Sequence, residues 1–344
     1  MTTGGACPTD GELADYIGGR LAPDLEVVVR EHCDACAACR GALVALASAT
    51  TGSGGPPPSL SGGRYRVLRV LGEGGMGVVY EALDDRLGRV VAIKTLHPRT
   101  QDDAELAEDR ARFAREIQAI ASLRSPHVVQ ILDVVSEPDG SSGFVMERLD
   151  GEPLRSLLAR ERRLPVSRAL TIAEQILAAL AAAHDAGLVH RDVKPENVFL
   201  VRSAAGDLVK LLDFGLAKPT RLSAHEMSIT GRPMLLGTVA YMAPEQARGD
   251  RATPAVDVYA VGTILFEMIC GERPYAGASG DVLAAKLLGG ERRTFTSLAP
   301  DAPGGVSAVV ERLLASAPED RPSSAAALAD LASARGALPA DRAA

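Results

Sequence analysis

The segment His190-Arg-Asp-Val-Lys-Pro-Glu-Asn197, followed downstream by Asp213-Phe-Gly215, constrains this chain more than any other feature. It sets two aspartates, an amide, a lysine and a proline close together. Few chemistries need that set. Phosphoryl transfer does: a carboxylate to receive a hydroxyl proton, a lysine near the moving phosphate, and an Asn/Asp pair to hold magnesium.

Upstream residues supply the matching phosphate-binding parts. Leu71-Gly-Glu-Gly-Gly-Met-Gly-Val-Val79 places Gly72, Gly74 and Gly77 in a GxGxxG pattern. Glycines there let the backbone approach phosphates and offer amide hydrogens. The same spacing occurs in dinucleotide-binding turns, but those lead into a helix. Here the glycines lead into Val78-Val79-Tyr80, a strand pattern, which favours a hairpin over the phosphates. Val91-Ala-Ile-Lys94 ends an apolar strand with a lysine placed to reach the α- and β-phosphates. Glu116, on the amphipathic helix pattern that follows, is the expected ion-pair partner of Lys94. Glu105 and Glu108 on the same helix remain rivals.

The ordered set resembles the eukaryotic-like (Hanks-type) serine/threonine protein kinases of bacteria. It comprises the glycine loop, VAIK, HRDVKPEN, DFG, Ala243-Pro-Glu245, Asp257 and Arg321. The resemblance implies an α+β, bilobal fold: a small β-rich lobe over 64–149, a large helical lobe over 150–333, and a nucleotide cleft between them. It also implies roles. Asp192 orients the substrate hydroxyl and accepts its proton, Lys194 neutralises the transferring phosphoryl group, and Asn197 and Asp213 hold magnesium or manganese. Lys94 and Glu116 complete the catalytic set. Leu71, Gly72, Gly74, Gly77, Val79, Ala92 and Lys94 surround ATP. Met146 is the expected gatekeeper, and the backbone of Glu147 and Leu149 the expected contact with the adenine edge. Lys194 and Thr238 resemble the residues that mark serine/threonine rather than tyrosine specificity. Arg191 resembles the arginine that pairs with a phosphate on the activation segment, with Thr230 and Ser228 as the expected autophosphorylation sites. Glu245–Arg321 is an expected buried bridge, Asp257 an expected cap on catalytic-loop amides, and His190 a packing residue.

A second constellation precedes this one. His32, Cys36 and Cys39 form H-x3-C-x2-C, which on a helix falls on one face. Cys7 supplies the fourth ligand that a tetrahedral zinc site needs. The pattern, with the apolar Leu13–Leu21 stretch, resembles the zinc-binding anti-sigma fold. Cys33 is a spare thiol and offers a rival C-x2-C with Cys36, so a redox-active pair without metal and incidental thiols remain alternatives. Cys270 lies in an apolar helix pattern and reads as core.

These patterns divide the 344 residues into a zinc-finger unit (1–46), a Gly/Ser/Pro linker (47–63), the kinase domain (64–333) and a tail (334–344). A hydrophobic share of 47% with 24% charged residues is that of a folded globule. The formal charge of −7 disfavours nucleic acid or anionic membrane as partners. No signal-peptide pattern opens the chain, and the longest apolar runs fall far short of a span, so a cytoplasmic location is expected. Expected partners are protein substrates, a regulatory protein bound by the zinc unit, and a second copy during autophosphorylation. The alternatives from other classes are a pseudokinase scaffold and a zinc-dependent transcriptional regulator.

Overall fold

The computed structural model describes residues 7–50, 59–74, 77–96, 103–136, 142–203, 206–214, 239–275 and 280–338. The chain forms two compact units, one of residues 1–121 and 130–150, the other of 122–129 and 151–344.

The first unit is built on a six-stranded antiparallel sheet. Its strands are β1 (Ser59–Leu60), β2 (Tyr65–Gly74), β3 (Gly77–Asp84), β4 (Arg89–Leu96), β5 (Ile131–Ser136) and β6 (Ser142–Glu147), in the order β1-β2-β3-β4-β6-β5. Directly opposed residues share a face, so the register sorts the side chains. Ala82 opposes Val91, and Ile93 opposes Val145. With Tyr65 and Val135 these form one core. Leu83 opposes Val90 on the other face, and Glu81, Ala92 and Met146 share a row there. Both faces of β4 are covered, which explains why Val90-Val91-Ala92-Ile93 is an unbroken apolar run rather than an alternating one.

The second face is covered at one end by the N-terminal helices α1 (Asp10–Ile17), α2 (Pro23–Ala35) and α3 (Ala37–Thr50). Thr9 and Glu12 form a reciprocal capping box that starts α1. Leu13, Tyr16, Ile17, Val29, Cys33, Cys39 and Leu43 then pack with Leu68, Leu83 and Val90 of the sheet in one core. The cysteine unit is therefore part of the strand-rich unit and not a separate bead on a linker. Two boundaries move accordingly: α3 runs to Thr50, beyond residue 46, and Ser59–Leu60 of the expected linker pairs with Arg66–Tyr65 as an edge strand.

Helix α4 (Asp103–Ala121) closes this unit. Its Phe113 ring lies 6.3 Å from that of Phe144 on β6.

The second unit carries α5 (Leu154–Glu161), α6 (Val166–Asp185), α7 (Pro244–Ala247), α8 (Pro254–Cys270), α9 (Gly280–Gly289), α10 (Phe295–Leu298), α11 (Gly304–Leu313) and α12 (Ser324–Gly336). A three-stranded sheet, β7 (Gly151–Pro153), β8 (Val198–Val201) and β9 (Leu208–Leu211), accompanies them. Every residue of α8 from Val256 to Cys270 is buried, so Cys270 is indeed core. Gly262 lets α11 approach: a Cβ there would sit 2.8 Å from Leu313 Cβ. Among the described residues α6 is long and apolar enough to cross a membrane by length and composition. It is instead a packed core helix, burying Leu170, Ile172, Ile176, Leu177 and Leu180. Helix α12 runs to Gly336, three residues into the stretch read as tail.

Candidate active site and candidate metal centre

The phosphate-binding elements lie on the first unit. Gly74 opposes Gly77 at the end of an antiparallel ladder, so the glycine run is a β-hairpin, as the Val78-Val79-Tyr80 strand pattern implies. Gly77 is obligatory. Its φ is +154°, and a Cβ would lie 1.8 Å from the Thr95 carbonyl oxygen. Leu71 and Gly72 sit at a register shift between Val70 and Gly72, where β2 bends.

Val79 opposes Lys94, Lys94 opposes Phe144, and Ala92 opposes Met146. The expected adenine- and phosphate-facing residues thus share one sheet face. Phe144 meets Phe113 of α4 from that face, and Glu116 follows Phe113 by almost one helical turn. This puts Glu116 on the stretch of α4 that approaches the Lys94 face. The side chains of Glu105 and Glu108 lie outside the described ones. The Glu147 amide donates to the Gln130 carbonyl at 3.0 Å and so is already engaged.

The catalytic loop lies on the second unit, and Asp257 organises it. One Asp257 oxygen accepts the Arg191 amide at 2.8 Å; the other accepts the His190 amide at 2.8 Å and meets His184 Nε2 at 2.8 Å. These bonds hold Arg191 at φ +64°, a conformation unfavourable for a residue with a side chain. His190 is fully buried, and burial holds its pKa below the ordinary imidazole value. Its Nδ1 accepts the Asp192 amide at 3.3 Å, which makes Nε2 the protonated nitrogen that donates to the Leu212 carbonyl at 2.8 Å. Its ring packs at 4.6 Å on Phe214. His190 is a packing and hydrogen-bonding residue, with no acid–base role.

Asp192 projects from this scaffold. Lys194 Nζ donates to its Oδ2 at 2.8 Å, and Asn197 Nδ2 donates to its backbone oxygen at 2.9 Å and to Oδ2 at 3.3 Å. The amide nitrogen of Asn197 is thereby engaged, and its oxygen is the end available to a cation. Asp213 follows β9 with φ +49°. The oxygen-rich donor pair fits a hard divalent ion such as magnesium.

The Glu245–Arg321 bridge is buried and bidentate, at 2.5 and 2.9 Å. Three further contacts lie beyond the reach of any motif: His184 on Asp257, Gln246 Nε2 on the Arg191 carbonyl at 3.2 Å, and Arg155 on Glu267 at 3.1 Å. No spacing rule links these residues. Ser228, Thr230 and Thr238 lie outside the described residues.

The cysteine residues converge differently from the expected single helix face. The chain breaks at Cys36, between α2 and α3, in an extended conformation. Arg40 stabilises the corner by donating to the Cys33 and Asp34 carbonyls at 3.0 and 2.7 Å. The break brings Cys7, His32, Cys36 and Cys39 together, with ligand atoms all within 4.8 Å of one another.

Hydrogen bonds at the start of α3, from the Cys39 amide foremost, favour the Cys36 thiolate and lower its pKa. Burial raises that of Cys39. Among the described residues the buried Nε2 of His32 has no hydrogen-bond partner. Three sulfurs and an imidazole within this radius match the donor set of a structural zinc site. Cys33 does not join them: it is fully buried in the apolar core, and burial pushes its thiol up to about 11. Burial and the raised pKa make Cys33 a poor nucleophile for the rival pairing with Cys36.

The profile of the protein kinase domain matches residues 65–331. The chain belongs to the protein kinase family. This kinase domain is 40% identical over 272 residues to the serine/threonine-protein kinase PknA of Mycobacterium tuberculosis, covering 78% of this chain and 60% of that protein. It is 40% identical over 270 residues to the serine/threonine-protein kinase pkn3 of Myxococcus xanthus, covering 77% and 48%. The chain thus spans less than two thirds of these relatives. The crystal structure of the Mycobacterium tuberculosis PknI kinase domain is also similar, with a TM-score of 0.61 at 28% identity over 80% of this chain and 97% of that one.

Proposed function

We propose that the protein transfers the γ-phosphoryl group of ATP to serine or threonine hydroxyls of proteins. The carrying observation is the Asp192 carboxylate with Lys194 and Asn197 on the same oxygen. Asp192 receives the acceptor hydroxyl as a hydrogen-bond donor and takes its proton as the oxygen bonds to phosphorus. Lys194, two residues on, neutralises charge on the moving phosphoryl group while restraining Asp192. Asn197 and Asp213 are the residues that would hold magnesium, which when bound neutralises the phosphate oxygens. The glycine hairpin cradles the phosphates and Lys94 pairs with them. Ala92 and Val79 pack on the adenine.

Phosphoamino-acid analysis of a protein incubated with labelled ATP tests the acceptor class. Phosphoserine or phosphothreonine is expected; phosphotyrosine alone contradicts the reading.

Autophosphorylation of the activation segment, at Thr230 and Ser228 in a transient dimer, is part of the same proposal. Its support is Arg191, whose buried Nε has no partner among the described residues and which is suited to a phosphate. Mass spectrometry of active enzyme with no phosphate on residues 216–236 would sink it.

Cys7, His32, Cys36 and Cys39 are proposed to hold one zinc ion. Elemental analysis of reduced protein should give about one zinc per chain; a content near zero rejects the site. We place the enzyme in the cytoplasm, acting on protein substrates.

A further inference from the structure

Helix α2 docks on the nucleotide-binding strands through a charged stripe. Glu26, Arg30 and Asp34 recur every four residues and so share a helix face. Asp34 accepts the Val90 amide at 3.0 Å, at the start of β4. Glu26 bonds to Arg69 at 2.5 Å and to Arg148 at 3.1 Å. Arg30 lies 3.5 Å from Asp150.

Arg148 and Asp150 flank Leu149, the residue whose backbone faces the adenine in the kinase reading. Both neighbours are therefore contacted from one helix of the cysteine-bearing unit, Arg148 by a hydrogen bond to Glu26 and Asp150 by an ion pair in which Arg30 Nη1 makes no hydrogen bond.

The grip is tight. Glu81 is fully buried and binds Arg69 at 2.7 Å and Arg148 at 2.6 Å, so Glu26, Arg69, Glu81 and Arg148 close a ring of alternating charge. Burial raises the Glu81 pKa, but Arg148 and Arg69 outweigh it and hold the carboxyl below its ordinary value. Arg69 also lies 4.8 Å over the Tyr16 ring of α1. Two arginines share two carboxylates, so removing Glu26 leaves a partly buried excess of positive charge beside Leu149.

We propose that Glu26 and Arg30 are positioning residues for nucleotide binding: through Arg148 and Asp150 they fix the backbone of Leu149, so the N-terminal helices set the affinity for ATP. The inference rests on the kinase reading for the role of Leu149, but not on the metal.

The test is titration calorimetry of Mg·ADP into the full chain, with ATP kinetics alongside. Glu26→Gln and Arg30→Gln should each weaken ADP binding about tenfold, the size of a typical coupling between sites. KM for ATP should rise to match, kcat should hold, and zinc content should match that of wild type. Arg20→Gln, which breaks an exposed pair with Asp15 in the same unit, should change none of these. A role confined to folding would lower the melting temperature and leave ADP affinity intact in the folded protein. That result, or a fall in kcat at constant KM, overturns the inference. A wild type that binds no ADP overturns the kinase reading and this inference together.

Discussion

Lys194 Nζ lies 2.8 Å from Oδ2 of Asp192, and both side chains are largely buried. The ammonium thus restrains the carboxylate that takes the proton in the proposed transfer. Lys194→Met should lower kcat about 10²- to 10³-fold, as loss of one charge-stabilising donor does. ADP affinity should stay within a factor of a few, because Lys194 acts on the transferring group. Steady-state kinetics with calorimetry separates the two effects.

Gly77→Ala places a Cβ 1.8 Å from the Thr95 carbonyl oxygen at φ +154°. The hairpin must open to relieve the clash. The variant should bind Mg·ADP at least about tenfold more weakly, equivalent to about 1.4 kcal/mol. Fluorescence titration checks it.

Glu245→Gln removes one charge from a bridge whose side chains are almost wholly buried. Arg321 then lies buried and uncompensated, which costs about 3–5 kcal/mol. The urea midpoint should fall accordingly. The double change Glu245→Met with Arg321→Leu should recover part of the loss, because no buried charge remains.

Stability should also fall as pH drops from 7 towards 5. His190 is neutral when folded because burial holds its pKa below 6.5. The unfolded chain binds a proton there near pH 6.5, so stability is full above that value and declines below it. His190→Gln should flatten the urea-midpoint profile across this window, at a lower starting stability.

Removal of the proposed zinc ion from reduced protein with a strong chelator should loosen the corner between α2 and α3. His32 precedes that corner by one helical turn, and Glu26, Arg30 and Asp34 lie on the same helix. ADP binding should weaken in the same direction as in Glu26→Gln. Restored zinc should restore it.

The grouping of Asp192, Lys194 and Asn197 was legible because these residues are local. All three fall within one loop, and Lys94 lies near the end of one strand. What escaped notice depends on long-range contacts. No spacing brings His184 to Asp257, or Glu26 to Arg148 across 122 positions. Cys7, His32, Cys36 and Cys39 do converge, but not in the expected way: His32, Cys36 and Cys39 meet through a helix break at Cys36, not along one helix face. The same chain turn buries Cys33, whose sequence context looked reactive. Leu13, Tyr16 and Val29 pack with Leu68, Leu83 and Val90 of the sheet, a sharing between distant segments that no local pattern announces.

The central claim is that Asp192 accepts the proton during phosphoryl transfer. Transfer of labelled phosphate from ATP by wild type and Asp192→Asn, with ADP affinity measured for both, tests it most directly. Labelling should fall at least about 10³-fold in the variant, with ADP binding preserved. Equal labelling by the two proteins would contradict the account.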